Sequence, residues 1–217
     1  RICLVGSEMC IRDRKIVINS GMANLFQKVS AQAFRAGINP RTEESREWFR
    51  KKLQDMSRIN RNQLMQQDEL TLANRQNPLI GSMNMFFYDP KHKDTLPYYD
   101  RFPLTIIIGG APKGFMGLNL HYLPPTLRAK LLDALMDNIS NKRYDETTKF
   151  NLTYRTLSAT SRTRFFKPCV KHYLFQHVRS KLARVHAPEW EIATFLPTAD
   201  WAKSSSRQVY RDSRRMI

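Results

Sequence analysis

The hydrophobic period of this chain changes at about residue 80, and that change limits the folds it can adopt. Before it, apolar residues recur at helical spacing. After it come three strand-like segments, "SMNMFFY", "FPLTIII" and "FMGLNLHYL". Alternation is clearest in the third, where one side carries Met116, Leu118, Leu120 and Tyr122. Because "GGAPKG" between the last two segments is typical of a hairpin, we predict an α+β fold.

Two helices are predicted before residue 80. The first covers 22–36 and ends at Gly37, with apolar contacts from Leu25, Phe26, Val29 and Phe34. Asn39 and Pro40 predict the start of a longer helix, which runs to Gln66. Its apolar stripe is thin: Trp48, Phe49, Leu53, Met56 and Ile59. Such a polar helix is typical of an arm that packs on a neighbour or partner, and a solvated helix at the edge of the fold is the alternative.

The remaining chain, residues 80–217, is predicted to form the core domain. We expect a small antiparallel, barrel-like sheet covered by amphipathic helices, the clearest of which is "TLRAKLLDALMDNI". "KFNLTY" predicts a short strand, and "EIATFLPTADW" an edge strand. Pro168 predicts the first turn of a further helix, with inward side chains from Val170, Tyr173, Leu174, Val178 and Leu182. "SSSRQVYRDSRRMI" is a basic tail. The predicted division is therefore a helical arm at 22–79 and a core at 80–217.

The first residues are treated separately, because "LVGSEMCIRD" looks like a translated sequencing adapter. Residues 1–14 are therefore interpreted as an assembly artefact, residues 1–21 as lying outside the protein proper, and Met22 as the expected start. Cys3 and Cys10 belong to this segment, which leaves Cys169. A single cysteine predicts neither a disulfide nor a cysteine metal site within the chain, and it indicates assembly in a reducing cytoplasm.

Positive charge is concentrated in the last third of the chain. The formal net charge is +17, and residues 155–217 supply +9 of it. Residues 161–186 contain seven Lys or Arg and no Asp or Glu. No run approaches the roughly 18 apolar residues that span a membrane, and no signal peptide is recognisable. The composition therefore favours a polyanionic partner and no membrane.

The common catalytic constellations are missing from the sequence. The histidines form no H-x-x-x-H pair, and His172 and His177 are too far apart around a helix to share a metal. His121, in a strand, is interpreted as a satisfied, partly buried imidazole. "GGAPKG" is too short for a P-loop and precedes a strand. Lysines beside Cys169 would lower its pKa, but we interpret it as a small core residue. We predict no enzyme activity, no cofactor and no metal.

The acid-free basic segment is the candidate nucleic-acid site. Solvated helix faces usually alternate charge signs, whereas here aromatic rings interleave with cations that could neutralise phosphates. On the predicted helix, Lys167, Lys171 and Arg179 share one side. The candidate contacts are Arg155, Arg162, Arg164, Phe165, Phe166, Lys167, Lys171, Arg179, Lys181 and Arg184. The two phenylalanines could stack on a terminal base pair, and five to eight phosphate contacts predict a salt slope of roughly −5 to −7. A solvated helix face is the alternative.

Several longer stretches resemble a known family. They are "MNMFFYDPKHKDTLPYYDRFPL", "GFMGLNLHYLPPTLRAKLLDAL", "RFFKPCVKHYL" and "DSRRMI", and the resemblance that they carry spans residues 81–217. In them the chain resembles the DNA end protector family, head-completion proteins of contractile-tailed bacteriophages. The resemblance implies a minor virion protein, assembled in the host cytoplasm, that binds the ends of packaged linear double-stranded DNA. Occupying those ends would shield them from host exonucleases without catalysis.

Two other functions remain open from the sequence. A structural portal, neck or tail-connector protein would contact other virion proteins, and the polar helix from Pro40 to Gln66 would be its main interface. A nuclease or packaging enzyme would cleave DNA with a divalent metal, but the motifs that this chemistry needs are absent. In the DNA-binding hypothesis, residues 155–186 carry the function instead.

Overall fold

The computed structural model describes residues 25–54, 56, 59–66, 70–72, 79–140, 143, 153–160 and 164–216. The helices are α1 Leu25–Arg35, α2 Glu43–Gln54, α3 Arg61–Leu64, α4 Pro125–Ser140, α5 at 153–160, α6 Trp190–Phe195 and α7 Ser206–Arg215. The strands are β1 Leu70–Thr71, β2 Met83–Met85, β3 Tyr99–Asp100, β4 Leu104–Ala111, β5 Gly114–Asn119, β6 Val170–Leu174, β7 Leu182–Val185 and β8 Trp201–Ala202. Short 3-10 turns occupy Leu120–Tyr122, Arg164–Cys169, Phe175–His177 and Ala187–Glu189.

Six strands form one antiparallel sheet in the order β1-β7-β2-β4-β5-β6, and β3 pairs with β8 separately. The three predicted strands are confirmed as β2, β4 and β5, and Pro112 and Lys113 form the hairpin turn between the last two. The third is shorter than predicted, because Leu120 and Tyr122 lie in a 3-10 turn after Asn119. The α+β class is therefore confirmed. The predicted barrel is wrong, because the sheet is open between β1 and β6 in the described part of the chain. Within the described ranges β1 consists of Leu70 and Thr71, and both pair with β7 and not with β6.

The two faces of the sheet pack against different partners. One face contributes Met83, Leu104, Ile106 and Leu118 to a main core that also contains buried residues of the helices. The predicted amphipathic helix is α4, and it covers this face with Leu131, Leu132 and Leu135. The opposite face carries a second cluster, which consists of Phe86, Tyr88, Ile107, Phe115, Tyr173 and Leu182. The chain from Phe175 to Val178 packs on that cluster as it crosses from β6 to β7.

The first predicted helix is confirmed, with one exception on its apolar face. α1 buries Phe26 and Val29 and ends where Gly37 adopts a φ of 70°. The Ile38 N–H then donates to the Ala33 carbonyl at 3.0 Å, which closes the helix end. Phe34 was predicted to be a core contact, but it is 85% exposed. Ser30 and Ala31, one turn before it, are exposed as well, so Phe34 lies off the face that buries Phe26, Val29 and Ala33.

The second predicted helix is divided and starts later than expected. Thr42, not Asn39, caps α2, because its Oγ1 accepts from the Ser45 N–H at 3.0 Å. Glu191 of α6 reinforces this start by accepting from the Arg41 N–H at 3.0 Å and from the Ser45 hydroxyl. Asn60 then caps α3, accepting from the Gln63 N–H at 3.3 Å. Two caps therefore make two helices where the sequence predicts one.

These N-terminal helices pack on the rest of the chain. Phe49, Leu53 and Leu64 are buried in the main core beside Trp190 and Ile192. The apolar stripe of the predicted arm is thus covered within the molecule. Whether residues 22–79 and 80–217 are separate domains stays a prediction.

The helix predicted after Pro168 is wrong. Residues Val170–Leu174 form β6, which pairs with β5 at the edge of the sheet, and Leu182–Val185 form β7. Gly114 and Gly117 make room for this arrangement: a Cβ on Gly114 would lie 1.9 Å from the Tyr173 carbonyl oxygen. Tertiary pairing therefore overrides an apolar spacing that is also compatible with a helix.

Three other predictions changed in the C-terminal part. Thr153 and Tyr154, the end of "KFNLTY", are helical in α5, and the rest of that segment lies outside the described residues. The first five residues of "EIATFLPTADW" belong to helix α6, and its last residue, Trp201, forms the two-residue strand β8 with Ala202. The basic tail is helix α7, and it is anchored by the buried Val209 and Ser213.

Candidate nucleic-acid interface

The predicted cations of the basic segment lie on strands and not on one helix. Lys171 is on β6 and Arg184 is on β7, with three strands between them. Strand spacing therefore separates their backbones by roughly 19 Å. Register places both residues on the sheet face of the second cluster, because Lys171 pairs with Gly117 and Arg184 with Asn84. The shared helix side predicted for Lys167, Lys171 and Arg179 is wrong for the same reason.

The other predicted residues are dispersed. Lys181, Lys167 and Arg155 are exposed. Arg179 is exposed too, but its guanidinium lies 3.4 Å from the Asp89 carboxylate. Phe166 packs against the main core and is not a free stacking ring. Arg162 lies outside the described residues, as do the side chains of Arg164 and Phe165. Whether these ten residues bind DNA stays a prediction.

A cleft of about 450 Å³ opens beside β6, and we name it the tyrosine cleft. One wall is the connection from Tyr88 to Asp100, and the other comes from Pro168 to Leu174. Five tyrosines line it: Tyr88, Tyr98, Tyr99, Tyr122 and Tyr173. Lys91, His92, Lys171 and His172 add cationic or ionisable nitrogen groups. The cleft therefore combines aromatic rings with positive charge.

The wall from Tyr88 to Asp100 is held in place by polar contacts. The Lys203 ammonium donates to the carbonyls of Lys93, Asp94 and Leu96 at 2.7, 3.0 and 3.3 Å. On the other side, the Asp89 N–H donates to the His177 carbonyl at 3.1 Å. The connection is therefore fixed at both ends of the wall that it forms.

Lys171 is the cation most closely built into the cleft. Its ammonium lies 4.0 Å from the centre of the Tyr122 ring, a cation–π contact. Burial lowers the pKa of Lys171, and the neighbouring Cys169 opposes that shift. Among the described residues no carboxylate pairs with this ammonium. Lys171 thus presents a partly desolvated positive charge without an acidic partner.

Asp100 is the acidic residue that lines the cleft, and its carboxylate accepts hydrogen bonds within a buried polar network. The His121 Nδ1–H donates to its carboxylate at 2.6 Å, and the Asn119 side chain donates at 3.1 Å. Burial raises the pKa of Asp100, but the hydrogen bonds that its carboxylate accepts outweigh burial and lower the pKa. The Thr198 hydroxyl donates to His121 Nε2 at 2.9 Å. Burial lowers the pKa of His121, which favours the neutral imidazole in this chain of hydrogen bonds.

This Asp–His–Thr arrangement has the connectivity of a hydrolase triad but not its accessibility. His121 is fully buried and Thr198 is 1% exposed. Neither lines the tyrosine cleft. The network therefore joins the β3–β8 pair to the end of β5. The prediction that His121 is satisfied is confirmed, but His121 lies in a 3-10 turn and not in a strand, and it is fully and not partly buried.

A second basic surface lies on α7, and we name it the arginine face. It consists of Arg207, Arg211, Arg214 and Arg215, all exposed, which surround Tyr210 at helical spacing. None of the four pairs with a carboxylate of the described residues. The opposite side of α7 buries Val209. Met216, directly after α7, lines the tyrosine cleft, so the two surfaces adjoin.

Arg128 fixes the arginine face from inside the molecule. It is 3% exposed and donates to the Leu123 carbonyl at 2.7 Å and the Thr194 carbonyl at 3.2 Å. Its third contact is the Tyr210 hydroxyl at 2.7 Å, in the middle of the arginine face. Burial lowers the pKa of Arg128, and the three acceptors compensate for much of its lost hydration.

No other described feature suggests reactive chemistry. Cys169 is buried, and burial raises its pKa to about 12. The lowered pKa expected from its lysine neighbours is therefore wrong, and the interpretation as a core residue is confirmed. In the described part of the chain no cluster of His, Cys, Asp and Glu could hold a metal ion. No helix within the described ranges is long and apolar enough to cross a bilayer.

Sequence reasoning did not identify the arginine face or the tyrosine cleft as candidate sites. The arginine face was predicted only as a basic tail, although Arg207, Arg211 and Arg215 recur at intervals of four residues. That spacing, combined with apolar Val209, is the pattern by which it could have been found. The tyrosine cleft has no comparable pattern, because its walls are brought together by contacts between distant segments, such as the Tyr88–Val178 bridge and the Asp89–His177 hydrogen bond.

Comparison with known families gives one match, to the family described as Phage T4 terminal DNA protecting protein, over residues 8–214. No curated protein and no solved structure matches the chain. The match begins inside the adapter-like segment, so the interpretation of residues 1–14 stays a prediction. It spans almost the whole chain and confirms the resemblance found in residues 81–217. This protein therefore belongs to the phage T4 terminal DNA protecting protein family.

Proposed function

We propose that the protein binds the ends of linear double-stranded DNA without sequence preference and shields them from exonucleases. The observation that carries the proposal is the arginine face, four exposed guanidinium groups without a carboxylate partner in the described chain. Family membership supplies the DNA terminus as the partner. The adjoining tyrosine cleft supports the same assignment, because it adds lysines and exposes aromatic rings beside those arginines.

The mechanism is occupancy. Arginine and lysine side chains neutralise backbone phosphates and release condensed counterions, which gives affinity without reading the bases. An exonuclease that must thread a free terminus is excluded while the protein covers it. This requires no bond to be made or broken, so we propose a binding protein and not an enzyme.

The place of action follows from the same assignment. We propose a virion protein that is added at head completion in the host cytoplasm and remains with the packaged genome. Its protein partners would be components of the portal or neck. The exposed Lys167, Lys181 and Arg184 would add further phosphate contacts.

The direct test compares a blunt linear duplex with a covalently closed circle of the same sequence over a salt series. We expect tight binding to the linear form, a salt slope of roughly −5 to −7, and protection of the linear form from an exonuclease. Equal affinity for both forms would replace end protection with general DNA binding. A slope near zero would remove the phosphate-based mechanism altogether.

A second candidate is a structural connector without end-specific DNA binding, and one observation favours it. Phe34 on α1 is 85% exposed, which is unusual for a large apolar side chain and typical of a protein contact. The version based on the helix from Pro40 to Gln66 is less supported, because Phe49 and Leu53 are buried internally. If Phe34→Ser abolished incorporation into heads while DNA binding stayed intact, the connector function would be favoured.

A further inference from the structure

The tyrosine cleft has the size of a small-ligand site and not of a duplex site. Its volume of about 450 Å³ falls within the roughly 300–1,000 Å³ of pockets that enclose single small ligands. A double helix is far too wide to enter it. If DNA uses this cleft, it must do so with a nucleotide that has left its base pair.

One ring in the cleft is available for stacking. Tyr98, Tyr122 and Trp201 pack on one another, with ring centres 4.9 to 6.2 Å apart. Tyr88 and Tyr173 pack together in the second cluster at 4.9 Å. These rings are therefore already engaged with neighbours.

Tyr99 differs from the other four tyrosines of the cleft. It is half-buried, and no described residue forms a ring contact or a side-chain hydrogen bond with it. Its backbone is fixed by pairing with Ala202 in the β3–β8 pair. An aromatic side chain held this way provides a face on which a base of any kind can stack.

The charges of the cleft match the phosphate of such a nucleotide. Lys171 projects a partly desolvated ammonium into the cleft from β6, and Lys91 adds an exposed one from the opposite wall. Asp100 does not oppose them, because His121 and Asn119 occupy its carboxylate. A base could stack on Tyr99 while a phosphate supplies the anionic partner that the Lys171 ammonium lacks among the described residues.

We propose that the tyrosine cleft holds the terminal nucleotide of a DNA strand, with the base against Tyr99 and the phosphate at Lys171. The inference rests on the proposed function. It gives a physical reason why the protein would bind DNA ends in preference to internal duplex. A terminal base pair opens more easily than an internal one, so only an end readily supplies an unpaired nucleotide. The arginine face binds the adjoining duplex, and the cleft recognises its terminus.

The test uses short duplexes that carry 2-aminopurine either at the terminal position or in the middle. We expect the protein to quench the terminal probe by stacking while the internal probe keeps its fluorescence. Tyr99→Leu should abolish the quenching and lower the affinity for open ends about tenfold, the scale of one base–aromatic stack. Tyr99→Phe should retain both, because the ring remains. Lys171→Met should lower end affinity about fivefold.

Matched controls separate this effect from a general loss of structure. Tyr154→Leu changes a 42% exposed tyrosine on α5 that does not line the cleft, and it should leave the quenching unchanged. Lys28→Met removes an exposed charge from α1 and should do the same. The unfolding temperature of Tyr99→Leu is measured as well, and a value equal to that of the wild type would show that the variant is folded.

The outcomes distinguish the inference from the function on which it rests. If the wild-type protein binds linear duplex and protects its ends but leaves the terminal probe unquenched, the cleft assignment is wrong and the proposed function stands. Full quenching by Tyr99→Leu would also overturn the assignment. If the wild-type protein neither binds nor protects linear duplex, the proposed function fails and the inference fails with it.

Discussion

Tyr210 adjoins two kinds of arginine: the buried Arg128 and the exposed arginines of the arginine face. Arg128 reaches the Tyr210 hydroxyl from the interior with a guanidinium that is almost inaccessible to solvent. The arginine face surrounds the same residue on the surface, and its four members have no acidic partner in the described chain. The interior arginine has three protein acceptors, whereas the surface arginines have donors left for a ligand.

The difference teaches how positive charge should be interpreted in a basic protein. A buried guanidinium must be matched within the fold, since desolvation without hydrogen bonds is costly. An exposed one contributes little to stability, so an unpaired row of them points to an external anion. Variants of the two groups should therefore fail in different assays.

The largest effect is expected from Arg128→Met. The substitution removes three hydrogen bonds and leaves the Leu123 and Thr194 carbonyls buried without donors. We expect the free energy of unfolding to fall by about 3 kcal/mol, measured by urea denaturation. Arg46→Met is the control: Arg46 pairs with Asp133 near the surface and should cost less than about 1 kcal/mol. Similar losses in both variants would contradict the distinction between interior and surface arginines.

The buried network should make stability depend on pH. Burial lowers the pKa of His121. At mildly acidic pH this residue is therefore protonated in the unfolded chain but not in the folded chain. Stability is therefore complete above the unfolded pKa of about 6.5 and falls below it, by at most about 1.4 kcal/mol per pH unit. Urea denaturation between pH 7 and pH 5 measures the slope. His121→Gln should flatten it, whereas exposed His92→Gln should not. If the pH dependence of stability persists in His121→Gln, another titratable group causes it.

The arginine face should affect binding and leave stability unchanged. The double variant Arg211→Gln, Arg214→Gln removes two phosphate-binding groups and should lower affinity for linear duplex about tenfold at low salt. The salt slope should become less steep by about 2. Arg50→Gln with Lys51→Gln is the control, because both side chains are exposed and lie near Glu47 on α2. An unchanged salt slope in the α7 variant would show that this face does not meet phosphates.

The smallest effect is expected from Arg179→Gln. Its guanidinium already lies near Asp89, which also binds Lys93. Part of its charge is therefore neutralised within the protein, and we expect less than about a twofold loss of DNA affinity. Titration of labelled duplex, with Lys181→Gln as the comparison, measures the difference. A larger loss for Arg179→Gln than for Lys181→Gln would show that the Asp89 contact breaks when DNA binds.

The accuracy of sequence reasoning differed between local and long-range features. The hairpin of β4 and β5, helix α4 and the end of α1 at Gly37 were predictable, because turn residues and side-chain periods act over a few positions. β6 was not. Val170, Tyr173 and Leu174 have a spacing that is also compatible with a helix, and only the glycines of β5 admit the neighbouring strand.

The candidate site shows the same limit. Lys171 was predicted for its charge and lies in the tyrosine cleft. Phe166 was predicted as a stacking ring but packs inside. Tyr99, the ring that we assign to this role, lies two residues after Pro97 and was not among the predicted contacts. Exposure of one ring and burial of another depend on contacts between distant segments, which local spacing does not encode.

By itself, the sequence determined the α+β class, the concentration of positive charge near the C-terminus and the resemblance to a family of DNA-protecting proteins. Composition is a sum over the whole chain, and side-chain period and shared motifs are properties of short segments. All three can therefore be recognised without a structure. Only the tertiary structure decided which arginine is interior, which four are free, and where tyrosines and lysines meet in a cleft. Those outcomes depend on strand pairing and desolvation, which exist only once distant residues are in contact.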